Sequence, residues 1–163
     1  MGSIDKIYQK YFQDIYRFLL SLCHDHYTAE DIVQETFLRA YLYLEFYDNE
    51  NVKTWLFTVA YRSFIDYYRK QKKSVPKEGS FFHWIKDPGS PLHEQLLLNE
   101  ETKQVLLWIK ELPKKQQHAI ILHDLHGLPY KEAASVMNVK LSHYKVLLFR
   151  GRQALRERKE NDE

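Results

Sequence analysis

Helical periodicity runs through this chain on both sides of one interruption. Across Ser74–Pro91 (SVPKEGSFFHWIKDPGSP) three prolines and two glycines remove it. Proline lacks the amide a helix needs and clashes with the turn before it, and glycine loses the most backbone freedom on becoming helical. The chain is therefore predicted to be all-α, with two small helical domains at 1–73 and 92–163 joined by a flexible linker at 74–91. Phe81, Phe82, Trp84 and Ile85 form an apolar island in that linker, unlike a plain tether, and such a patch should dock on something.

In the first half, Ile4, Ile7, Tyr8, Tyr11, Phe12, Ile15, Phe18, Leu19 and Leu22 recur at three- and four-residue steps, which predicts an amphipathic helix from Ile4 to Cys23. His24–Tyr27 break the pattern, and Thr28 with Asp31 has the look of a helix cap. The next helix, Ala29–Leu44, turns Ile32, Val33, Phe37, Ala40 and Tyr41 inward. Asp31, Gln34 and Leu38 lie on another side, which Glu30, Asp31 and Glu35 make acidic. That side is either a solvated face favoured by the helix dipole or a contact for a partner. Phe46–Lys53 reads as a loop, and Thr54–Lys73 as a third helix.

The third helix carries two apolar stripes. Trp55, Leu56, Val59 and Ala60 make one, Phe57, Tyr61, Phe64 and Tyr68 the other, with Arg62, Arg69, Lys70, Lys72 and Lys73 beside or beyond them. One stripe satisfies packing. The second, set among cations, suits unpaired bases, which stack on rings while lysine and arginine hold phosphates. The alternative is a broad core face with a lysine-rich helix end.

In the second half a helix is expected over Leu92–Leu112, with Leu96, Leu97, Val105, Leu106, Trp108, Ile109 and Leu112 in its core, ended by Pro113. Ile120, Ile121, Leu122 and Leu125 mark a short helix closed by Gly127 and Pro129. Tyr130–Met137 is a short helix with small Ala133 and Ala134 at a close helix approach, Asn138–Lys140 a tight turn, and Leu141–Arg156 a second helix. Ser142, His143, Tyr144, Lys145, Arg150 and Arg152 on that second helix match a helix-turn-helix entering a DNA major groove. Residues at the helix start would reach base edges, and Lys145, Arg150 and Arg152 would hold phosphates. A helical hairpin with a basic tail is the alternative.

Other chemistries find little support. Cys23 is the sole cysteine, so there is no intrachain disulfide, and a reducing compartment, the cytoplasm, is expected. No stretch is long and charge-free enough to span a bilayer. Cys23, His24 and His26 straddle a helix end, and His123 and His126 have no third ligand nearby, with His118 and Asp124 reading as surface-facing, so no metal site is expected. The formal net charge of +2 is unremarkable, but Glu30–Asn51 is mainly acidic while Arg62–Lys77 and Lys140–Lys159 are strongly basic.

Taken in order, these stretches resemble a bacterial RNA polymerase sigma factor of the extracytoplasmic-function group, of the sigma-70 family. AEDIVQETFLRAY (Ala29–Tyr41) is similar to the family's polymerase-clamp segment and WLFTVAYRSFIDYYRK (Trp55–Lys70) to its promoter-melting helix. Leu112–Leu155 resembles its second domain, with Leu112, Pro113, Glu132, Ala134, Lys145, Arg150 and Arg152 in place. The sequence departs from the family pattern at Arg62, Gln117 and Tyr144.

The resemblance implies that Asp31, Gln34, Glu35 and Leu38 bind core RNA polymerase at its beta-prime clamp, with the beta flap as a further contact. It implies that Phe46, Asn49, Trp55, Tyr61, Arg62, Tyr68, Arg69 and Lys70 open and hold downstream promoter DNA, the Phe46–Lys53 loop taking a base turned out of the duplex. Lys140, Ser142, His143, Tyr144, Lys145, Arg150 and Arg152 would bind the upstream element. It further implies an inhibitory anti-sigma factor, commonly membrane-bound, and no catalytic residue, cofactor or small-molecule substrate. The rival readings are a dimeric helix-turn-helix regulator that does not bind polymerase, and a nucleic-acid-modifying enzyme that uses the eight scattered histidines.

Overall fold

The computed structural model describes residues 2–43, 51–71 and 99–162. The chain divides into two compact units, Met1–His93 and Glu94–Glu163, and the expected linker at 74–91, with its apolar island and with Leu96 and Leu97, lies outside the described residues. All described regular structure is helical.

The first unit is built on α1 (Gly2–Cys23), α2 (His26–Tyr43) and α3 (Val52–Gln71), each packed on the other two. Ile15, Phe18, Leu19 and Leu22 of α1 meet Ala29, Ile32, Val33, Phe37 and Ala40 of α2 and Leu56, Phe57, Ala60 and Phe64 of α3, all buried. The Phe18 and Phe57 rings lie 4.7 Å apart, and Tyr8 meets Phe37 edge-on at 4.9 Å. His24 ends α1 in the left-handed region (φ 59), its amide returning to the Leu20 carbonyl at 2.9 Å. The cap of α2 is Asp25 rather than Thr28. Its carboxylate accepts from the Thr28 hydroxyl at 2.5 Å and the Tyr27 amide at 3.3 Å, and its carbonyl from the Ala29 amide at 2.9 Å. A carboxylate satisfies a first-turn amide more strongly than a hydroxyl and also suits the helix dipole, so α2 starts earlier than expected. Val52 and Lys53, expected in a loop, are already helical. Arg39 ties α2 to α3 by reaching Glu35 at 3.0 Å and Asp66 at 3.1 Å.

The second unit comprises α4 (Glu100–Glu111), α5 (Lys114–Ile120), which widens into a π-helical turn over Ile121–Leu125, α6 (Tyr130–Met137) and α7 (Leu141–Asp162). Asn99 caps α4, accepting from the Thr102 amide at 2.7 Å. Gln117, buried, donates through its amide nitrogen to the carbonyls of Lys110 (2.9 Å) and Leu112 (2.8 Å). Those carbonyls have no helical partner beyond Pro113, so Gln117 closes the end of α4. His118, expected at the surface, is buried, because α5 begins earlier than its apolar run suggested and brings His118 onto its inner side. Gly127 (φ 73) closes the π-helical turn, its amide reaching the His123 carbonyl at 2.9 Å. Asn138 (φ 57) turns the chain from α6 into α7.

Two contacts seat α7 on α5. Tyr144 donates its hydroxyl hydrogen bond to the Ala119 carbonyl at 2.6 Å, and at Gly151 an added Cβ would come within 2.7 Å of Ile120 Cδ1. Gly151→Val is expected to lower the stability of the second unit by about 1–3 kcal/mol through overpacking, read by thermal melting. Adding Ile120→Val, which removes the Cδ1 methyl the new side chain would meet, should recover part of that deficit, and a double variant no better than Gly151→Val would refute the contact.

Burial pushes the Cys23 thiol from 9.0 up to about 12 and the Tyr61 phenol from 10.0 up to about 12. Above pH 9 the unfolded chain sheds these protons before the folded chain does, so stability present below that pH falls as the pH rises toward about 12. Tyr61→Phe should raise the alkaline unfolding midpoint in circular dichroism, and an unshifted midpoint would contradict this burial.

Candidate nucleic-acid and protein interfaces

On α2 the 3.6-residue repeat separates two faces. Ile32, Val33, Thr36 and Phe37 are buried, and Thr36 satisfies its hydroxyl on the Ile32 carbonyl at 2.7 Å. Asp31, Gln34, Glu35 and Leu38 all lie exposed on the opposite side. Glu35 is held by Arg39, whereas no ion pair engages Asp31 among the described residues. Tyr41, expected inward, is 57% exposed, because Phe37 and Ala40 occupy the inner face and Tyr41 sits about 100° further round. Leu42 and Tyr43 are exposed as well, so the acidic face runs into an apolar end. The run of Tyr41, Leu42 and Tyr43 was the missed signal, since consecutive apolar residues cannot all share one buried helix face.

On α3 the expected exposed ring stripe lies largely inside the bundle. Phe57, Tyr61 and Phe64 are buried, Tyr61 being only 8% exposed. Tyr68 is half-buried, and that burial, with Cys23 beside it, drives its phenol far above its ordinary range. Tyr61 and Tyr68 are therefore no open stacking platform. The physical reason is size: three helices must pool both stripes of α3 to enclose a core, so the larger rings go inside. The outward residues are half-buried Trp55 and exposed Arg62, Arg69 and Lys70. Trp55, Arg62 and Arg69 are seven residues apart, which places an indole and two cations along one side of the helix. Phe46 and Asn49 lie outside the described residues.

On α7, Tyr144, Leu147, Leu148 and Gly151 form the buried side. Tyr144 has no exposed surface, so its placement at the upstream-element face is corrected: its position on the inner repeat and its bond to Ala119 make it an anchor. Lys140, Ser142, His143, Lys145 and Arg150 are exposed, and among the described residues none of the three cations has an ion-pair partner. Arg152 differs from the expectation of a free cation. Its Nε lies 3.1 Å and its Nη2 2.5 Å from the two oxygens of Asp124. Phe149, 62% exposed between these cations, and Val146 were not singled out from sequence. The signal was again an apolar run, Val146–Phe149, longer than one face can bury. Ala133 and Ala134 are buried, as their size at a close helix approach requires.

His26 and His123 have structural partners. His26 Nδ1 faces the Tyr16 hydroxyl, with Glu30 3.7 Å from its other nitrogen, and His123 Nδ1 lies 2.8 Å from the Leu128 carbonyl. No cluster of three or more His, Cys, Asp or Glu side chains suited to a metal occurs among the described residues. No described helix is long and apolar enough to cross a membrane.

Residues 7–74 match the Sigma-70 region 2 family and residues 98–155 the Sigma-70 region 4 family. The chain is 46% identical to the ECF RNA polymerase sigma factor SigM of Bacillus subtilis (strain 168), over 94% of this chain and 93% of that protein. It is 30% identical to the RNA polymerase sigma factor YlaC of the same organism, over 94% of this chain and 90% of the relative. The fold is shared with the sigma factor RpoE from Bartonella quintana, solved with the anti-sigma factor NepR, at a TM-score of 0.77 and 21% identity with both chains fully covered. CnrH, solved with the cytosolic domain of CnrY, aligns at a TM-score of 0.70 and 18% identity over 98% of this chain and 89% of its own. The chain belongs to the extracytoplasmic-function sigma factors of the sigma-70 family, non-enzymatic proteins that direct RNA polymerase to promoters and initiate transcription.

Proposed function

We propose a division of labour among the exposed faces of the two units. Asp31, Gln34, Glu35 and Leu38 of α2 bind the beta-prime clamp of core polymerase, and the exposed apolar end at Tyr41–Tyr43 extends that contact. The outer side of α3, with Trp55, Arg62, Arg69 and Lys70, holds promoter DNA as it opens. The buried ring of Tyr61 and the half-buried ring of Tyr68 support that side from behind. In the second unit Lys140, Ser142, His143, Lys145 and Arg150 take the upstream element, while the unit also meets the beta flap. An anti-sigma factor, membrane-bound, holds the protein in check in the cytoplasm until its signal arrives; the RpoE structure with NepR supports such a partner.

The observation that carries this reading is the segregation of charge: exposed carboxylates on α2, and, among the described residues, exposed cations without ion pairs on α3 and α7. Opposite charges on different faces serve different partners, protein for one and phosphate for the other. Reconstituted transcription with bacterial core polymerase and a pool of promoter fragments tests it, since start-specific transcripts must require this chain.

Asp31→Ala combined with Gln34→Ala should weaken core-polymerase binding at least roughly tenfold, about 1.4 kcal/mol, with circular dichroism unchanged because both side chains are exposed. Native-like binding by that variant would defeat the clamp assignment. Arg62→Ala with Arg69→Ala should reduce promoter opening, followed by permanganate reactivity of unpaired thymines, more than it reduces duplex binding. Equal reductions in both would return these residues to general phosphate attraction. Replacing Lys145 and Arg150 by alanine should make the salt dependence of DNA binding shallower, by about 0.9 in the log–log slope for each phosphate that is no longer neutralised.

A further inference from the structure

Lys145 and Arg152 lie seven residues apart on α7 and so share one side of it, about 10 Å apart along the axis. On that geometry Arg152 would extend the row of cations offered to DNA. It does not, because Asp124, from the π-helical turn, takes the guanidinium at two points, with Nε 3.1 Å from one carboxylate oxygen and Nη2 2.5 Å from the other. The side chains are 34% exposed for Arg152 and 31% for Asp124, and the two-point bond joins α7 to a different element of the same unit. Tyr130, the first residue of α6, lies beside Arg152. Its ring lies 4.4 Å from His123 and 6.3 Å from buried Tyr144, so the guanidinium is braced from two elements besides its own. A two-point planar bond fixes direction as well as distance, which a single lysine contact cannot do.

We propose that Asp124 removes Arg152 from the DNA-binding surface and makes it a positioning residue, whose bond to the π-helical turn braces the outer side of α7 in the rotation that Tyr144 and Gly151 set from beneath, and so steadies the angle at which Lys145 and Arg150 meet the duplex. This rests on the reading of α7 as the DNA-contacting helix and adds to it where the phosphate-contacting row ends. The carboxylate occupies the guanidinium as a phosphate would, and the pair carries no net charge into the interface. A cation so neutralised releases no counterion when DNA binds, so it contributes nothing to the salt slope.

The test uses the full chain and a fluorescent mixed-sequence duplex of about 30 base pairs, with binding followed by anisotropy over a range of salt. Lys145→Gln should flatten the log–log slope by about 0.9, whereas Arg152→Gln should leave the slope at the wild-type value. Arg152→Glu alone should weaken binding at least roughly tenfold, and the charge-exchanged pair Asp124→Arg with Arg152→Glu should return most of it. Thermal melting of each variant verifies folding, and the exchanged pair keeps the test decisive if a single variant does not fold. A slope flattened as much by Arg152→Gln as by Lys145→Gln would overturn the proposal, as would an exchanged pair no better than Arg152→Glu. A wild-type chain that does not bind the duplex, or a Lys145→Gln variant with an unaltered slope, would instead overturn the reading of α7 on which the proposal rests.

Discussion

Tyr144 decides which way the last helix faces. Its ring is wholly buried, and its hydroxyl donates to a backbone carbonyl of α5. A buried phenol needs such a partner, since an unsatisfied hydroxyl costs on the order of 1–3 kcal/mol, so the bond permits one rotation of α7 and penalises the rest. Gly151, seven residues on, allows the backbones to approach at the same face. With these two inside, Ser142, His143, Lys145, Phe149 and Arg150 are outside, and the surface offered to DNA follows from the packing beneath it.

The first unit obeys a related constraint by different means. Three short helices enclose little volume, and the rings of Phe18, Phe37, Phe57 and Phe64 fill it together with aliphatic residues such as Ile15, Leu19 and Leu56. What remains at the surface is charge: carboxylates on α2, and arginines and lysine on α3. Arg39 joins the two faces by gripping Glu35 and Asp66 together. A pair this exposed adds little stability, but it holds a carboxylate of the proposed polymerase face in a defined place.

Much of this was legible in the chain itself. The breaks at Pro113, Gly127 and Asn138 divide the helices of the second unit because proline and the left-handed positions act locally, through the backbone of a few residues. The acidic face of α2 and the helix-turn-helix of the second unit are equally local, being spacing and charge. Helix starts were less legible: Asp25 and Thr28 are both good caps, and only the structure shows the Asp25 carboxylate accepting from the Tyr27 amide while the Thr28 hydroxyl donates to it. The π-helical turn left no mark in composition, although Asp124 depends on it.

The sequence by itself determined the all-helical class, the two units, the order of the segments and the sign of charge on each face, because periodicity, proline and charge act over a few residues. Tertiary structure alone decided which aromatic residues are core and which are surface, and which cations are free. Tyr61, Tyr68 and Tyr144 look as suited to bases as to a core until neighbouring helices are present to cover them. Arg152 is chemically the equal of Arg150, and only the arrival of Asp124 from 28 residues away separates an anchor from a contact. Burial and pairing are properties of neighbours distant in sequence, so no local pattern encodes them.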